Sequence, residues 1–183
     1  SDATAPTVEP QYDYAFPDTP AGDTTIATAN PQQVKALDLL QVSGRVDSKE
    51  LVIVLEFAEP VSRWTEGAAN GLDGFVHLDT DTTESTGFAD AAHLLGVDFY
   101  LDLRDDGFGR MGLVEVAKRR LVRVAARFDG ATVTITVPRG ELTTETDGDA
   151  RFRMAVDIAA RGRLPNTDTS PTTGHFRLEP GAP

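Results

Sequence analysis

The sequence predicts an all-β protein: an antiparallel β-sandwich, jelly-roll or immunoglobulin-like, of about nine strands. Three observations carry that expectation. Ala131-Thr132-Val133-Thr134-Ile135-Thr136-Val137 alternates Thr with Val or Ile, the pattern of a strand with one face in a core and one in water. Turn signals, Asp105-Asp106-Gly107 and Asp129-Gly130, separate short apolar runs. No stretch keeps a helical apolar period for longer than one or two turns.

The elements follow in order. Residues 1–30 are rich in Ala, Thr, Pro and Asp, and their prolines leave little room for a continuous element, so they read as an N-terminal extension or linker. Tyr12, Tyr14 and Phe16 alternate there and suit an extended segment pinned to a sheet. Residues 31–183 read as one domain. Asp38 to Phe57 reads as two strands about an Asp47-Ser48-Lys49 turn, with Leu40, Val42 and Val46 alternating with Gln41, Ser43 and Arg45. Leu51-Val52-Ile53-Val54-Leu55 is continuously apolar, as for a strand buried on both faces. Residues 61–74 form a loop containing Trp64, Glu66 and Asn70. A strand then runs from Gly74 to Asp81, and another from Val97 to Leu103. Arg110 to Ala117 and Leu121 to Phe128 follow, then the Ala131–Val137 strand, which Pro138 ends. Arg139 to Asp149 reads as an acidic loop with one helical turn. Arg151 to Ile158 puts Phe152, Met154, Val156 and Ile158 inward, and Gly174 to Leu178 closes the set.

Composition narrows the function classes. The 183 residues carry a formal charge of −12, which disfavours nucleic acid and anionic membranes and favours cations. There is no cysteine, which excludes disulfides, thiolate metal sites and a cysteine nucleophile. No apolar run approaches the roughly 18 residues of a membrane helix, so membrane insertion is not expected. No signal peptide is visible, and the first residues read as a trimmed mature start or an expression start.

The stretch richest in chemistry is Gly74-Phe75-Val76-His77-Leu78-Asp79-Thr80-Asp81-Thr82-Thr83-Glu84-Ser85-Thr86-Gly87-Phe88. Alternation puts Asp79 and Asp81 on one side of an extended chain, where like charges repel unless a cation lies between them. Thr83, Glu84 and Thr86 add oxygen donors, and Asp38 and Asp98 are candidates to approach from neighbouring strands. A hard ion such as Ca²⁺ takes six to eight oxygens, which this set can supply; the competing reading is a solvated acidic turn. The loop is not an EF-hand, because its sixth and twelfth positions are Glu84 and Asp90.

Several pieces together carry a resemblance: Asp18-Thr19-Pro20-Ala21-Gly22-Asp23-Thr24, Asp38-Leu39-Leu40-Gln41-Val42-Ser43, Leu78-Asp79-Thr80-Asp81 with Thr86-Gly87, Val137-Pro138-Arg139, and Ser170-Pro171-Thr172-Thr173-Gly174-His175. In this order they resemble exported bacterial β-sandwich domains similar to the DOMON and family-nine carbohydrate-binding-module type, over roughly residues 18–180. The resemblance implies a sandwich, export to a secreted, periplasmic or cell-surface location, and a structural calcium near the D-x-D-x-x-x-x-T-G run. Sugar-binding members use paired aromatic platforms, whereas Trp64 is the one tryptophan here.

Other constellations are weaker. Trp64 with Tyr100 could stack on a glycan or cell-surface polymer, or each could simply anchor its loop or strand. Arg119, Arg123 and Arg127 alternate outward opposite Val122, Val124 and Phe128, either as an anion site or as charges guarding a sheet face. His77, His93 and His175 are the three histidines, and His77 could join Asp79 on one strand face; scattered packing histidines are the simpler reading. Paired carboxylates such as Asp79 and Asp98 leave a hydrolase in play, but no nucleophile elbow, H-E-x-x-H or P-loop spacing occurs. The expected function is a non-catalytic, calcium-stabilised accessory or binding module beside other domains of an exported protein. A carbohydrate-binding module using Trp64 and Tyr100 is the first alternative, and a hydrolase the second.

Overall fold

The computed structural model describes residues 37–65, 68, 70–142, 152–158, 168–170 and 174–178. The expectations for Tyr12, Tyr14, Phe16, Glu66, Arg151 and the domain boundary near residue 31 lie outside the described residues. The strands are β1 (Leu39–Val46), β2 (Glu50–Phe57), β3 (Gly74–Asp79), β4 (Phe88–Asp90), β5 (Leu95–Val97), β6 (Phe99–Asp105), β7 (Arg110–Glu115), β8 (Arg120–Asp129), β9 (Thr132–Pro138), β10 (Phe152–Ile158), β11 (Asp168–Ser170) and β12 (Phe176–Leu178). The expected helical turn is a short 3-10 helix, Arg139–Leu142.

The described residues are nearly all β, and their strand pairs are antiparallel. Among the described residues ten strands form one sheet in the order β1-β2-β9-β8-β7-β6-β3-β10, with β11 and β12 sharing the far edge of β10. Hydrogen bonding therefore runs through one sheet, where the sequence suggests two. That sheet curls until its ends meet, almost as a barrel. The closure is tight: a Cβ at Gly44 in β1 would stand 2.8 Å from Leu178 Cδ2 in β12. Glycine at that position leaves room for the Leu178 side chain where the two edges meet. Inside lies one apolar core drawn from the inward faces, including Ile53, Leu78, Phe99, Ile135, Met154 and Phe176.

The Thr/Val alternation of β9 appears as expected, with Val133, Ile135 and Val137 fully buried, and Phe152, Met154, Val156 and Ile158 of β10 are buried too. Three expectations are corrected. Leu40 is 53% exposed and Leu39 is buried instead, because a bulge between Leu39 and Gln41 shifts the β1 register. In β2, Leu51, Ile53 and Leu55 are buried while Val52 and Val54 are half-buried. That strand therefore has one core face, and its continuous apolar run marks β-propensity rather than double burial. The expected strand from Val97 to Leu103 breaks at Asp98, which separates β5 from β6.

The connection from β3 to β6, residues 80–98, departs most from the regular meander. It contains its own two-stranded sheet, β4 with β5. It lies over the outer face of the main sheet, where Leu95 and Val97 pack on Ala155 in a small cluster with Tyr100 and Val116. Ala155 faces outward because Met154 and Val156 on either side of it enter the main core. Beneath this cover β10 is buried on both faces.

Candidate functional site

The outer face of β3 carries Phe75, His77 and Asp79. Register places His77 between Ala155 of β10 and Tyr100 of β6, and Asp79 opposite Arg153. The strand ends at Asp79, two residues earlier than expected, and the chain turns into the covering loop.

Asp79, Asp81 and Asp98 converge, with one carboxylate oxygen from each within 4.8 Å of the others. Asp79 is fully buried. Its oxygens accept two long hydrogen bonds, Oδ1 from Thr83 N–H at 3.3 Å and Oδ2 from Gly96 N–H at 3.4 Å. Among the described residues its cationic neighbour is Arg153, whose Nη1 stands 3.9 Å from Oδ2 and 4.0 Å from Glu84 Oε1, so one guanidinium serves two acids. Burial, then the charges of Asp98 and Asp81, push the Asp79 carboxyl up to about 6. Burial also raises Asp98, against the Thr80 N–H that its Oδ2 accepts at 2.8 Å.

The loop holds itself in shape around these acids. Asp81 Oδ1 accepts from Thr83 N–H at 2.8 Å, and Asp81 Oδ2 from the Thr86 hydroxyl at 2.7 Å. Thr82 takes a positive φ of 58°, and Gly87 one of 68°. At Gly87 a side chain is excluded, since a Cβ would stand 2.0 Å from the Val97 carbonyl oxygen. Gly96 is equally confined: a Cβ there would meet the carbonyl oxygens of Thr86 and Thr83 at 2.2 and 2.3 Å.

Of the proposed metal ligands, the structure thus brings Asp79, Asp81 and Asp98 together, with Thr83 and Thr86 beside them. Glu84 is largely exposed and turned toward Arg153. Asp38 is elsewhere: it precedes β1, and its backbone oxygen accepts from Ala58 N–H at 2.9 Å. The side chains that converge here, Asp79, Asp81 and Asp98, offer oxygen donors, as a hard cation requires.

The aromatic candidates do not stack on each other. Trp64 covers Arg104, whose guanidinium carbon is 4.5 Å from the ring centroid, and Arg104 forks onto the buried Asp73 with two 2.9 Å bonds. Tyr100 instead meets Phe75 at 5.8 Å and Phe88 at 6.4 Å, and both phenylalanines are partly exposed. The arginine row is shorter than expected. Arg123 and Arg127 are exposed on β8, but Arg119 lies in the preceding turn at a φ of 52°.

Sequence reasoning missed a second polar cluster. His77 Nδ1 is 2.7 Å from Asp90 Oδ2 and 3.8 Å from Asp157 Oδ2, and His93 Nε2 is 3.0 Å from Asp157 Oδ1. His93 Nδ1 meets the Gly174 carbonyl at 2.9 Å, so both ring nitrogens face acceptors. Burial pulls the His93 pKa down, but the hydrogen bond and charge of Asp157, with Asp90, outweigh it and the net shift is upward. These residues sit far apart in sequence, and only the pairing of β3 with β10 and the path of the covering loop bring them together.

Compared with known proteins, the chain matches no family model and no curated sequence. Among the described residues no helix is long and apolar enough to cross a membrane.

Proposed function

We propose that this chain is a non-catalytic accessory or binding module of an exported protein, with its covering loop fixed by Ca²⁺ at Asp79, Asp81 and Asp98. The observation that carries the reading is Asp79: fully buried, facing two further carboxylates, and sharing one arginine with Glu84. Such an arrangement is electrostatically costly without a cation and favourable with one. Thr83 and Thr86 carbonyl or hydroxyl oxygens, and water, would complete an oxygen shell. The finer fold reading, a flattened sandwich made by the two halves of the curled sheet, suits the same role, because it leaves the loop outside the core.

The test is thermal unfolding of calcium-stripped protein with and without Ca²⁺. Binding to the native state alone stabilises by RT ln(1 + [L]/Kd), about 2.7 kcal/mol at a hundredfold excess over Kd. Ca²⁺ should restore the melting temperature better than Mg²⁺, which demands a tighter octahedron. Identical curves with chelator and with Ca²⁺ would leave an ordinary acidic turn.

Glycan binding is the second reading. It is favoured by the three rings of Phe75, Phe88 and Tyr100 gathered on one exposed face. Trp64 is not part of that surface, being occupied with Arg104. Saturable binding on a glycan array that Tyr100→Ala abolishes and Trp64→Ala spares would support it; silence on neutral and acidic glycans would remove it.

A further inference from the structure

We propose that His77, Asp90 and Asp157 form a second metal site, separate from the acidic loop and suited to a zinc-like divalent ion. The three side chains come from β3, β4 and β10, and one ligand atom of each lies within 4.8 Å of the others. A four-coordinate zinc with bonds near 2.0–2.1 Å needs its ligand atoms about 3.3 Å apart. The separations of Asp90 Oδ2 and Asp157 Oδ2 from His77 Nδ1, 2.7 and 3.8 Å, bracket that value. Small side-chain movements therefore suffice to seat the ion, with water or a ligand group at the fourth position. Imidazole with two carboxylates is a borderline donor set, which suits zinc and not calcium.

A second feature is the way the carboxylates are aimed. Both are gripped by the same residue through their outer oxygens. Asp90 Oδ1 accepts the His93 backbone N–H at 3.2 Å, and Asp157 Oδ1 faces the His93 ring at 3.0 Å. His93 is itself fixed through Gly174 O at 2.9 Å and through its own carbonyl, which meets His175 Nδ1 at 2.8 Å. The Oδ2 atoms are thus presented together at His77 Nδ1, as outer hydrogen bonds orient ligands in metal centres. His77 is half-shielded by Phe88, edge-on at 5.3 Å, and by Phe75 at 6.3 Å, which limits competing water.

The test is titration of tag-free, metal-stripped protein with Co²⁺ and Zn²⁺ in millimolar Ca²⁺, so that the acidic loop is already saturated. One equivalent of Co²⁺ should give a visible ligand-field band that Zn²⁺ displaces. His77→Gln should abolish the band, and Asp90→Asn should weaken binding if the first variant folds poorly. His93→Gln should cost roughly 10–100-fold in affinity while the band persists, as loss of an outer-shell partner does. Asp81→Asn should leave the titration unchanged, which separates this site from the calcium reading whether or not that reading holds. Absence of a band, a band indifferent to His77→Gln and Asp90→Asn, or one lost with Asp81→Asn would overturn the proposal.

Discussion

Replacing Asp79 by Asn should make the calcium-free protein more stable and the calcium-loaded protein less stable. The magnitude follows from the carboxyl, which moves from 3.8 to about 6 on folding. An acid whose folded pKa is raised carries no penalty below pH 3.8; the penalty grows between 3.8 and about 6 and is complete above that. At neutral pH it amounts to about 3 kcal/mol. Asparagine removes the charge but can accept only one of the two long hydrogen bonds, from Thr83 and Gly96, costing about 1 kcal/mol. The net gain is about 2 kcal/mol, or about 4–8 °C in melting temperature for a chain of this size. The gain should vanish near pH 4, where the aspartic acid is largely protonated. With Ca²⁺ the order should reverse, since the wild-type charge becomes a ligand. Differential scanning calorimetry of both proteins from pH 4 to 7, in chelator and in Ca²⁺, reads all four corners. A chelated Asp79→Asn protein that melts below wild type at pH 7, or curves that do not cross with Ca²⁺, would refute the argument.

Further outcomes are equally specific. Ile135→Ala should cost roughly 2–5 kcal/mol in urea unfolding, because the side chain is fully buried in the main core. Gly96→Ala should abolish the stabilising response to Ca²⁺ in a melting assay, since its Cβ would stand 2.2 Å from the Thr86 carbonyl oxygen that closes the loop. Arg104→Met should destabilise by about 2 kcal/mol by chemical unfolding. It leaves the buried Asp73 carboxylate unpaired, and the cost falls below that of a fully buried pair because the guanidinium is half-exposed. The stability that His93 contributes should be fully present below pH 6.5 and decline as pH rises through its raised folded value. Comparing wild type with His93→Gln across that range isolates it.

Local chemistry made much of this legible. The β9 alternation and the Asp129-Gly130 turn locate a hairpin, because both are written in consecutive residues. Asp79 and Asp81 were readable for the same reason, and Asp98 joined them as a candidate from a neighbouring strand. What escaped depends on register. The bulge that turns Leu40 outward leaves no mark in composition. A continuous apolar run cannot reveal that Val52 and Val54 face the half-open side of the sheet. The His77 cluster spans residues 77 to 157 and exists only because β3 lies beside β10 under the covering loop.

That loop gives the two clusters a common logic. Residues 80–98 are anchored to the sheet by a small apolar patch of Leu95, Val97 and Ala155, far less than the core that holds the strands below. Polar contacts must therefore do much of the anchoring, and they concentrate at two points. Asp79, Asp81 and Asp98 gather where the loop leaves β3 and returns to β6; Asp90 and His93 grip its middle through His77 and Asp157. Both points draw on the outer face of β3, where alternation sets His77 and Asp79 two residues apart on the same side. The middle point carries its own hydrogen-bond partners, since His77 meets Asp90 and His93 meets both Asp90 and Asp157. Among the described residues the end point has one shared arginine against Asp79, Asp81, Asp98 and Glu84. Loss of a cation there should loosen the loop from its β3 end while the middle stays docked. Amide hydrogen exchange in chelator should accelerate first at Thr83 and Gly96, whose N–H groups point at Asp79, and last at His93.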